Sequence, residues 1–348
     1  MTRLVDFLRR MVKRLIWLAI FLMVVIGCVL ALYRWRADLR EQFSAEDFAP
    51  ATGHFIKTSD GTLFVQELGP ATGVAVLLVH GTGAWSETWR HTMQALAGAN
   101  FHVIAIDLPP FGFSQRSAAM DYSKAAQGKR IVNILDALNI KRAILVGHSF
   151  GAGPTVEAAM QIPDRVIKLV IVDGALNVHA KSDAAASAQL PGLVKFGLHS
   201  VPIRNAVVAT FITNPSFTKT LLQKFIDDPR GASEEYVNIY QRPLIIKGAT
   251  ESVGAWLPEL LDTTHPARSE DASQYQALKM PVTLIWGKRD TITPLIQGQQ
   301  LQAIISQSEL VVMDDVGHIP QIENNTEFNT ALIAALVPSN SSNAKSIK

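Results

Sequence analysis

A serine flanked by glycines follows a strand-like apolar run. Ser149 lies within Gly-His-Ser-Phe-Gly at residues 147–151, the apolar residues 143–146 precede this segment, and a helical pattern follows at residues 154–161. A strand that passes into a helix through such a segment makes a strained turn, in which only glycines fit on either side of the serine. The pattern predicts that this turn pushes the Ser149 hydroxyl out over the carboxyl edge of a sheet.

An aspartate and a histidine follow two further strand-like runs. Asp290 comes after residues 282–286, and His318 comes after residues 310–313. A serine hydroxyl is a poor nucleophile at neutral pH, but a histidine within hydrogen-bond reach can take its proton and later return it. An aspartate beside the histidine holds the imidazole in the productive tautomer and stabilises its cation. The three residue types predict a triad of Ser149 as nucleophile, His318 as base and Asp290 as acid.

A second aspartate competes for the role of the acid. Asp173 also follows a strand-like run, at residues 166–172. The spacing Gly287-x-x-Asp290-x-x-x-Pro294 favours Asp290. Asp173 therefore stands as the alternative.

Four blocks of sequence resemble the α/β-hydrolases over roughly residues 54–337, in the chain order serine, acid, histidine. They are Val-Leu-Leu-Val-His-Gly-Thr-Gly at 76–83, Ile-Asp-Leu-Pro-Pro-Phe-Gly-Phe-Ser at 106–114, the serine turn at 147–151, and Trp-Gly-Lys-Arg-Asp at 286–290 with Gly-His-Ile-Pro at 317–320. The resemblance is closest to the branch of esterases, epoxide hydrolases, haloalkane dehalogenases and carbon–carbon bond hydrolases. Pro110 stands where that family usually has glycine, which predicts a stiffer loop without loss of a catalytic group.

The resemblance also implies two backbone donors for the oxyanion that forms during acyl transfer. One is the amide of Phe150, the residue after the nucleophile, and the other comes from the loop at residues 80–83. The amide of Thr82 is the first candidate in that loop and the amide of Gly83 is the next. His80 and His148 are expected to shape loops and pack, without a part in the chemistry.

The remaining pattern predicts the elements that position these groups. Strand-like and helical segments alternate from residue 74 to residue 172, which is typical of a parallel sheet covered on both faces. Between residues 174 and 279 the alternation stops and helical patterns broken by prolines take over. The resembling family inserts a helical cap at this point. We expect an α/β fold with a mostly parallel α/β-hydrolase sheet, a helical cap and an N-terminal transmembrane helix.

The predicted organisation divides the chain into six parts. They are a cytoplasmic stub with a transmembrane anchor (1–36), a stalk (37–52), the first part of the hydrolase core (53–174), the cap (175–279), the second part of the core (280–337) and a disordered tail rich in Ser and Asn (338–348). The large apolar side chains of the cap are expected to form mainly its own core, and fewer to line a pocket: Phe196, Phe211, Leu222, Phe225 and Trp256.

The amino-terminal segment is long enough to cross a membrane. The uncharged apolar run begins at Leu15 and ends at Tyr33, and at ~1.5 Å per residue it spans a hydrocarbon core of about 30 Å. Basic residues are denser before this run than after it: Arg3, Arg9, Arg10, Lys13 and Arg14 against Arg34, Arg36 and Arg40. This bias predicts a single-pass protein with a cytoplasmic amino terminus and a periplasmic or otherwise extracytoplasmic catalytic domain.

Two other interpretations of this segment stay open. A cleaved signal peptide has a shorter apolar core and a small-x-small site, which this run lacks. The segment Val-Ile-Gly-Cys ending at Cys28 resembles a bacterial lipobox, although the residues after it continue apolar.

The composition and the net charge argue against several classes of protein and site. The 348 residues are 48% apolar and carry a net charge of +2, so a polyanionic partner such as nucleic acid is not expected. Cys28 is the only cysteine, which excludes an intramolecular disulfide and a cysteine-based zinc site. No cofactor or metal is expected, and the oligomeric state is not specified.

The leading hypothesis is a membrane-anchored serine hydrolase that cleaves carboxylic esters of fairly apolar small molecules through an acyl-enzyme. A serine nucleophile disfavours the alkyl-enzyme route of dehalogenases and epoxide hydrolases. The alternatives are a carbon–carbon bond hydrolase acting on ring-cleavage products, cofactor-free lyase or perhydrolase chemistry, and a non-catalytic binding domain of the same fold.

Overall fold

The computed structural model describes residues 2–178, 191–261 and 267–337. The predicted tail at residues 338–348 lies outside the described residues, as does part of the predicted cap.

Eight strands form one sheet at the centre of the described chain. Their bounds are β1 Gly53–Thr58, β2 Gly61–Leu68, β3 Ala75–Val79, β4 His102–Ile106, β5 Ala143–His148, β6 Val166–Val172, β7 Val282–Gly287 and β8 Ser308–Met313. The spatial order is β1-β2-β4-β3-β5-β6-β7-β8. The pairs β1–β2 and β2–β4 are antiparallel, and the other five pairs are parallel. The prediction of a mostly parallel sheet is confirmed.

Helices cover both faces of the sheet. The helices of the core are α3 Arg90–Gly98, α4 Lys124–Ala137, α5 Ala152–Gln161, α11 Leu295–Ile304, α12 Pro320–Glu323 and α13 Asn325–Leu336. Alternate residues of β3 point to opposite sides: Leu77 packs in a cluster with α4, α5 and α11, whereas Val76 packs in a second cluster with α3 and α13. Two buried faces explain why the central strands are apolar throughout instead of alternating.

Helices also make up the described part of the insertion between β6 and β7. They are α6 Gly192–His199, α7 Val201–Phe211, α8 Pro215–Phe225, α9 Glu234–Gln241 and α10 Ala249–Leu261. The side chain of Trp85 is fully buried beneath this cap, and its Nε1 donates a hydrogen bond to the carbonyl oxygen of Ile239 at 2.7 Å. The cap is therefore joined to the core by a buried polar contact as well as by packing.

The amino-terminal helix α1 spans Thr2–Arg40. By length and composition it could cross a membrane, and its most apolar stretch is not buried inside the molecule. The helix continues past Tyr33 into the segment predicted as a stalk, which also contains the short helix α2, Ala45–Phe48.

The beginning of the predicted stalk packs against the cap. The guanidinium of Arg40 donates through Nε to the carbonyl oxygen of Leu244 at 2.9 Å. The buried carboxylate of Glu41 accepts hydrogen bonds from the amide of Thr250, at 3.1 Å, and from its hydroxyl. Phe43 forms a parallel bridge with Ile246. These long-range contacts fix the end of α1 to the cap.

Candidate active site

Ser149 lies in the sharp turn between β5 and α5. Its φ angle is +52°, in the left-handed region that side chains rarely adopt. A Cβ atom at Gly147 would lie 2.5 Å from the Thr155 hydroxyl oxygen, and one at Gly151 would lie 2.3 Å from the carbonyl oxygen of His80. Both glycines are therefore required by close approach, which is the physical reason for the predicted Gly-x-Ser-x-Gly pattern.

The structure brings Ser149, His318 and Asp290 into one hydrogen-bonded array. The Ser149 Oγ lies 2.8 Å from the His318 Nε2, and the His318 Nδ1 lies 2.7 Å from the Asp290 Oδ2. All three residues are buried. The carboxylate accepts from Nδ1–H, so Nε2 presents its lone pair to the serine hydroxyl, as a base must.

Asp290 is held as a carboxylate by four donors. The amides of Ile292 and Thr293 donate to Oδ1 at 2.7 and 2.9 Å, and the Thr293 hydroxyl donates to Oδ2 at 2.7 Å. Burial alone raises the pKa of Asp290, but the bonds from His318 and Thr293 outweigh it and leave this pKa below its usual range. The sequence analysis did not identify Thr293; a threonine three residues after a loop aspartate is the signal that could have found it.

Asp173 lies close to Asp290 and does not contact His318. Its Oδ1 accepts from the amide of Gly287 at 2.8 Å, and its Oδ2 is buried without a donor in the described part of the chain. Burial, and then the charge of Asp290, raise the pKa of Asp173 well above its usual range. Of the two aspartates, only Asp290 hydrogen-bonds the histidine.

The predicted oxyanion loop approaches the serine closely. A Cβ atom at Gly81 would lie 2.9 Å from the Cβ of Ser149. Within residues 2–178, 191–261 and 267–337, the amides of Thr82, Gly83 and Phe150 donate no hydrogen bond to another protein group. These amides are free to donate to an oxyanion, which is the role that the sequence predicts for them.

His80 and His148 support the loops around the serine as neutral imidazoles. His80 bonds the carbonyl oxygen of Gly81 through Nδ1 at 2.9 Å and accepts from the amide of Leu108 through Nε2 at 2.9 Å. His148 bonds the carbonyl oxygen of His318 through Nε2 at 2.8 Å. Burial lowers the pKa of His80 to about 4, and burial together with the neighbouring His318 lowers that of His148 to about 3.

A cavity of about 260 Å³ lies between the core and the cap. Thr82 and Gly83 of the oxyanion loop line it, as does Ile319, the residue after His318. Most of its wall is apolar and comes from the cap, including Ile212, Leu221, Leu222, Phe225, Val253, Trp256 and Leu257. Arg116 is the one charged residue among those that line it. The cavity thus joins the oxyanion loop to an apolar compartment.

The five cap residues singled out from the sequence separate into two groups. Leu222, Phe225 and Trp256 line the cavity, whereas Phe196 and Phe211 are exposed to solvent. The Phe225 ring lies 5.6 Å from the His318 ring, and its carbonyl oxygen accepts from the His318 amide at 3.0 Å. The cap therefore touches the base directly as well as walling the cavity.

No group of three or more His, Cys, Asp or Glu side chains is placed to hold a metal ion in the described ranges. The site thus consists of a buried serine–histidine–aspartate array, free amides and an apolar cavity.

A parallel sheet with a serine at a strand-to-helix turn defines a class of α/β protein, that of the α/β hydrolases. A family model described as alpha/beta hydrolase fold matches residues 74–325. The chain belongs to this family.

Known relatives include carbon–carbon bond hydrolases and esterases. A 2-hydroxymuconate semialdehyde hydrolase from Pseudomonas sp. (strain CF600) is 30% identical over 262 residues, covering 74% of this chain and 84% of that protein. The solved structure of an esterase from Exiguobacterium antarcticum superposes with a TM-score of 0.65 at 17% identity, covering 81% of this chain and 98% of that one.

A third similarity extends further along the chain. The solved structure of a membrane phospholipase A superposes with a TM-score of 0.65 at 21% identity and covers 94% of this chain and 97% of that one. Since α1 makes up 39 of the 348 residues, coverage of this extent includes part of α1. At this identity the likeness concerns the fold alone.

Proposed function

We propose that this chain is a membrane-anchored serine hydrolase that cleaves carboxylic esters of apolar small molecules through an acyl-enzyme. The observation that carries the proposal is the array in which the His318 Nε2 lies 2.8 Å from the Ser149 Oγ. The amides predicted as oxyanion donors, and an apolar cavity that Thr82, Gly83 and Ile319 line, supply the other parts that acyl transfer needs.

In the proposed reaction, the Ser149 Oγ attacks the ester carbonyl carbon while His318 Nε2 takes the hydroxyl proton. The amides of Thr82 and Phe150 stabilise the oxyanion. His318 then gives its proton to the leaving alcohol oxygen as the carbon–oxygen bond breaks, which leaves an acyl-enzyme. Water attacks this ester with His318 again as base, and the carboxylic acid is released as Ser149 regains its proton. Asp290 stabilises the histidine cation in both halves.

The cavity predicts a preference for apolar chains. For a series of p-nitrophenyl esters, kcat/KM is expected to rise with acyl length until the cavity is filled, because each buried methylene contributes about 0.8 kcal/mol. Trp256→Ala should shift the optimum towards bulkier acyl groups, since this side chain forms part of the wall. Phe211→Ala removes an exposed aromatic of the same cap and serves as the matched control. A flat profile in the wild type would contradict the assignment of the cavity as acyl pocket.

Carbon–carbon bond hydrolysis is the second candidate. It is favoured by the relative from Pseudomonas sp. (strain CF600), named a 2-hydroxymuconate semialdehyde hydrolase, and by Arg116, a cation in the cavity wall that could bind a carboxylate. Turnover of a 2-hydroxy-6-oxodienoate, followed by the loss of its visible absorbance, tests this candidate directly. Activity on the dienoate without activity on any ester would replace the leading proposal.

The proposed anchor is the apolar part of α1. Full-length protein is expected to stay in the membrane fraction after a sodium carbonate wash, because a spanning helix resists conditions that strip peripheral proteins. A chain beginning at Arg34 keeps the contacts of Arg40 and Glu41 with the cap and should be released by the same wash. Release of the full-length chain would show that α1 does not span.

The basic residues before the apolar run support a cytoplasmic amino terminus and a catalytic domain on the periplasmic or other extracytoplasmic side. Alkaline phosphatase fused after Lys348 should then be active in cells, and a green fluorescent protein fused at the same place should stay dark. The opposite pair of results would place the active site in the cytoplasm without affecting the assignment of the triad.

A further inference from the structure

Two cap helices expose large apolar side chains to solvent. On α6, Leu193 is 83% exposed and Phe196 is 62% exposed. On α7, Val201, Ile203 and Phe211 are also exposed. The two helices follow one another in the chain and pack side by side. We call the exposed side chains of α6 and α7 the cap face. Exposed apolar groups gathered in one region are typical of an interaction surface.

The cap face is also free of acidic residues. The sequence from Pro191 to Thr213 contains no Asp or Glu, and its basic residues include Lys195 and Arg204. Arg204 is half-buried near Glu251 of α10, whereas Lys195 is exposed and precedes Phe196 in the sequence. An apolar helix face bordered by basic side chains suits the interfacial zone of a bilayer, where the apolar groups enter the acyl region and the cations meet anionic headgroups.

The position of α1 places the cap face near the membrane. Residues of α1 before Leu30 are exposed, whereas Tyr33 and Arg34 are half-buried and Ala37 is fully buried. This last part of α1 packs against α7. Ala37 lies four residues beyond Tyr33, or about 6 Å along a helix that rises 1.5 Å per residue. The cap thus meets α1 within roughly one helical turn of the end of the apolar run.

The end of α1 cannot swing freely away from the cap. Arg40 bonds the carbonyl oxygen of Leu244, and the buried Glu41 bonds the amide of Thr250. Because α1 is continuous up to Arg40, its orientation in a bilayer would determine that of the cap. Trp35 and Leu39 of the same helix end are exposed and extend the apolar surface at this level.

We propose that the cap face docks on the surface of the bilayer that α1 spans, with Leu193 and Phe196 in the interfacial zone and Lys195 against anionic phospholipid headgroups. The proposal rests on the proposed anchoring by α1. It adds a second membrane contact, made by the cap, which holds α6 and α7 at a defined depth and orientation.

Spin labels on the full-length protein in vesicles can test this docking. The natural cysteine is first replaced by Cys28→Ser, and labels are then attached one at a time through Leu193→Cys and Phe196→Cys. Ile16→Cys in the apolar run reports the span, and Ile296→Cys, 55% exposed on α11, is the matched control outside the cap. Collision rates with oxygen, which concentrates in bilayers, and with a water-soluble nickel chelate are measured for each label, and each variant must keep its hydrolase activity.

Docking predicts that labels at positions 193 and 196 collide with oxygen more than with nickel, as the label at position 16 does, whereas the label at position 296 shows the reverse. High nickel collision at 193 and 196 would mean that the cap face is in water and would overturn the proposal. Low collision with both reagents would mean burial against a second copy of the chain, which also overturns it. Nickel access at position 16 would show instead that the anchor itself fails.

Lipid charge tests the role of Lys195. The label at position 196 should lie deeper in vesicles of phosphatidylcholine with phosphatidylglycerol than in phosphatidylcholine alone. Lys195→Glu should remove this difference, and Lys57→Glu, a charge reversal at an exposed site on β1, should leave it unchanged. An unaltered difference in the Lys195→Glu protein would overturn the assignment of Lys195 as a headgroup contact.

Discussion

Ser149→Ala is expected to lower kcat/KM for a p-nitrophenyl ester by on the order of 10⁶-fold, the size of loss known for removal of a triad serine. The change deletes the oxygen that lies 2.8 Å from the His318 Nε2 and leaves no atom there to form the acyl-enzyme. The substitution removes a single oxygen atom and leaves Cβ in place, so it takes almost no volume from the core. The thermal unfolding midpoint should therefore stay near the wild-type value.

Covalent labelling separates loss of the nucleophile from loss of the fold. A fluorophosphonate reacts with activated serine hydroxyls, so the wild-type protein should be labelled at Ser149 and the Ser149→Ala protein should not. Ester hydrolysis that persists in a folded Ser149→Ala protein would contradict the acyl-enzyme proposal. A wild-type protein that takes no label would point to the non-catalytic binding domain that the sequence also allows.

The turn at Ser149 could be anticipated because its residues are dictated locally. A Cβ atom added at Gly147 or Gly151 would lie 2.5 Å or less from a neighbouring atom. The backbone geometry therefore requires glycine at both positions, and the sequence shows it. The same holds for the central strands, whose burial on both faces requires apolar residues at every position. The turn and the central strands can be predicted because each depends on residues that are close together in the sequence.

Which cap residues line the cavity could not be predicted from the sequence in the same way. Phe211 and Phe225 are the same residue type in adjacent helices, yet Phe211 is exposed and Phe225 contacts His318. Which of them lines the cavity depends on how α7 and α8 pack against the core, and composition carries no information on that packing. The sequence predicts that five cap side chains, these two among them, form mainly the core of the cap, whereas three of the five line the cavity and Phe196 and Phe211 are exposed.

The contacts of the segment after the apolar run could not be predicted for a related reason. Its mixed and polar residues predict a short stalk, and in the structure Glu41 is buried against Thr250, 209 residues away in the chain. A buried carboxylate is tolerable only with donors at hand, and the two donors come from the amino end of α10. No local pattern near Glu41 reveals a partner at that distance in sequence.

The second large expected effect is the loss of kcat when the catalytic acid is replaced, and it distinguishes Asp290 from Asp173. Asp290→Asn should lower kcat by about 10⁴-fold, since an amide can hold the histidine in the wrong tautomer and cannot stabilise its cation. Asp173→Asn should lower kcat by at most about tenfold, the equivalent of one neutral hydrogen bond. The difference follows from the geometry: the Asp290 Oδ2 lies 2.7 Å from the His318 Nδ1, whereas Asp173 bonds the amide of Gly287.

The two variants are closely matched, because both replace a buried carboxyl with an amide of the same shape at the end of neighbouring strands. Asparagine at position 173 replaces a carboxyl group whose pKa is raised well above its usual range by burial, and its amide oxygen can still accept from the amide of Gly287. At position 290 the same change removes a negative charge that the site is built to hold. Steady-state kinetics on one ester, together with the unfolding midpoints of both proteins, therefore compare the same substitution at the two positions. The side-chain volume stays the same in both variants. A larger loss in Asp173→Asn than in Asp290→Asn would move the catalytic acid from the loop after β7 to the end of β6.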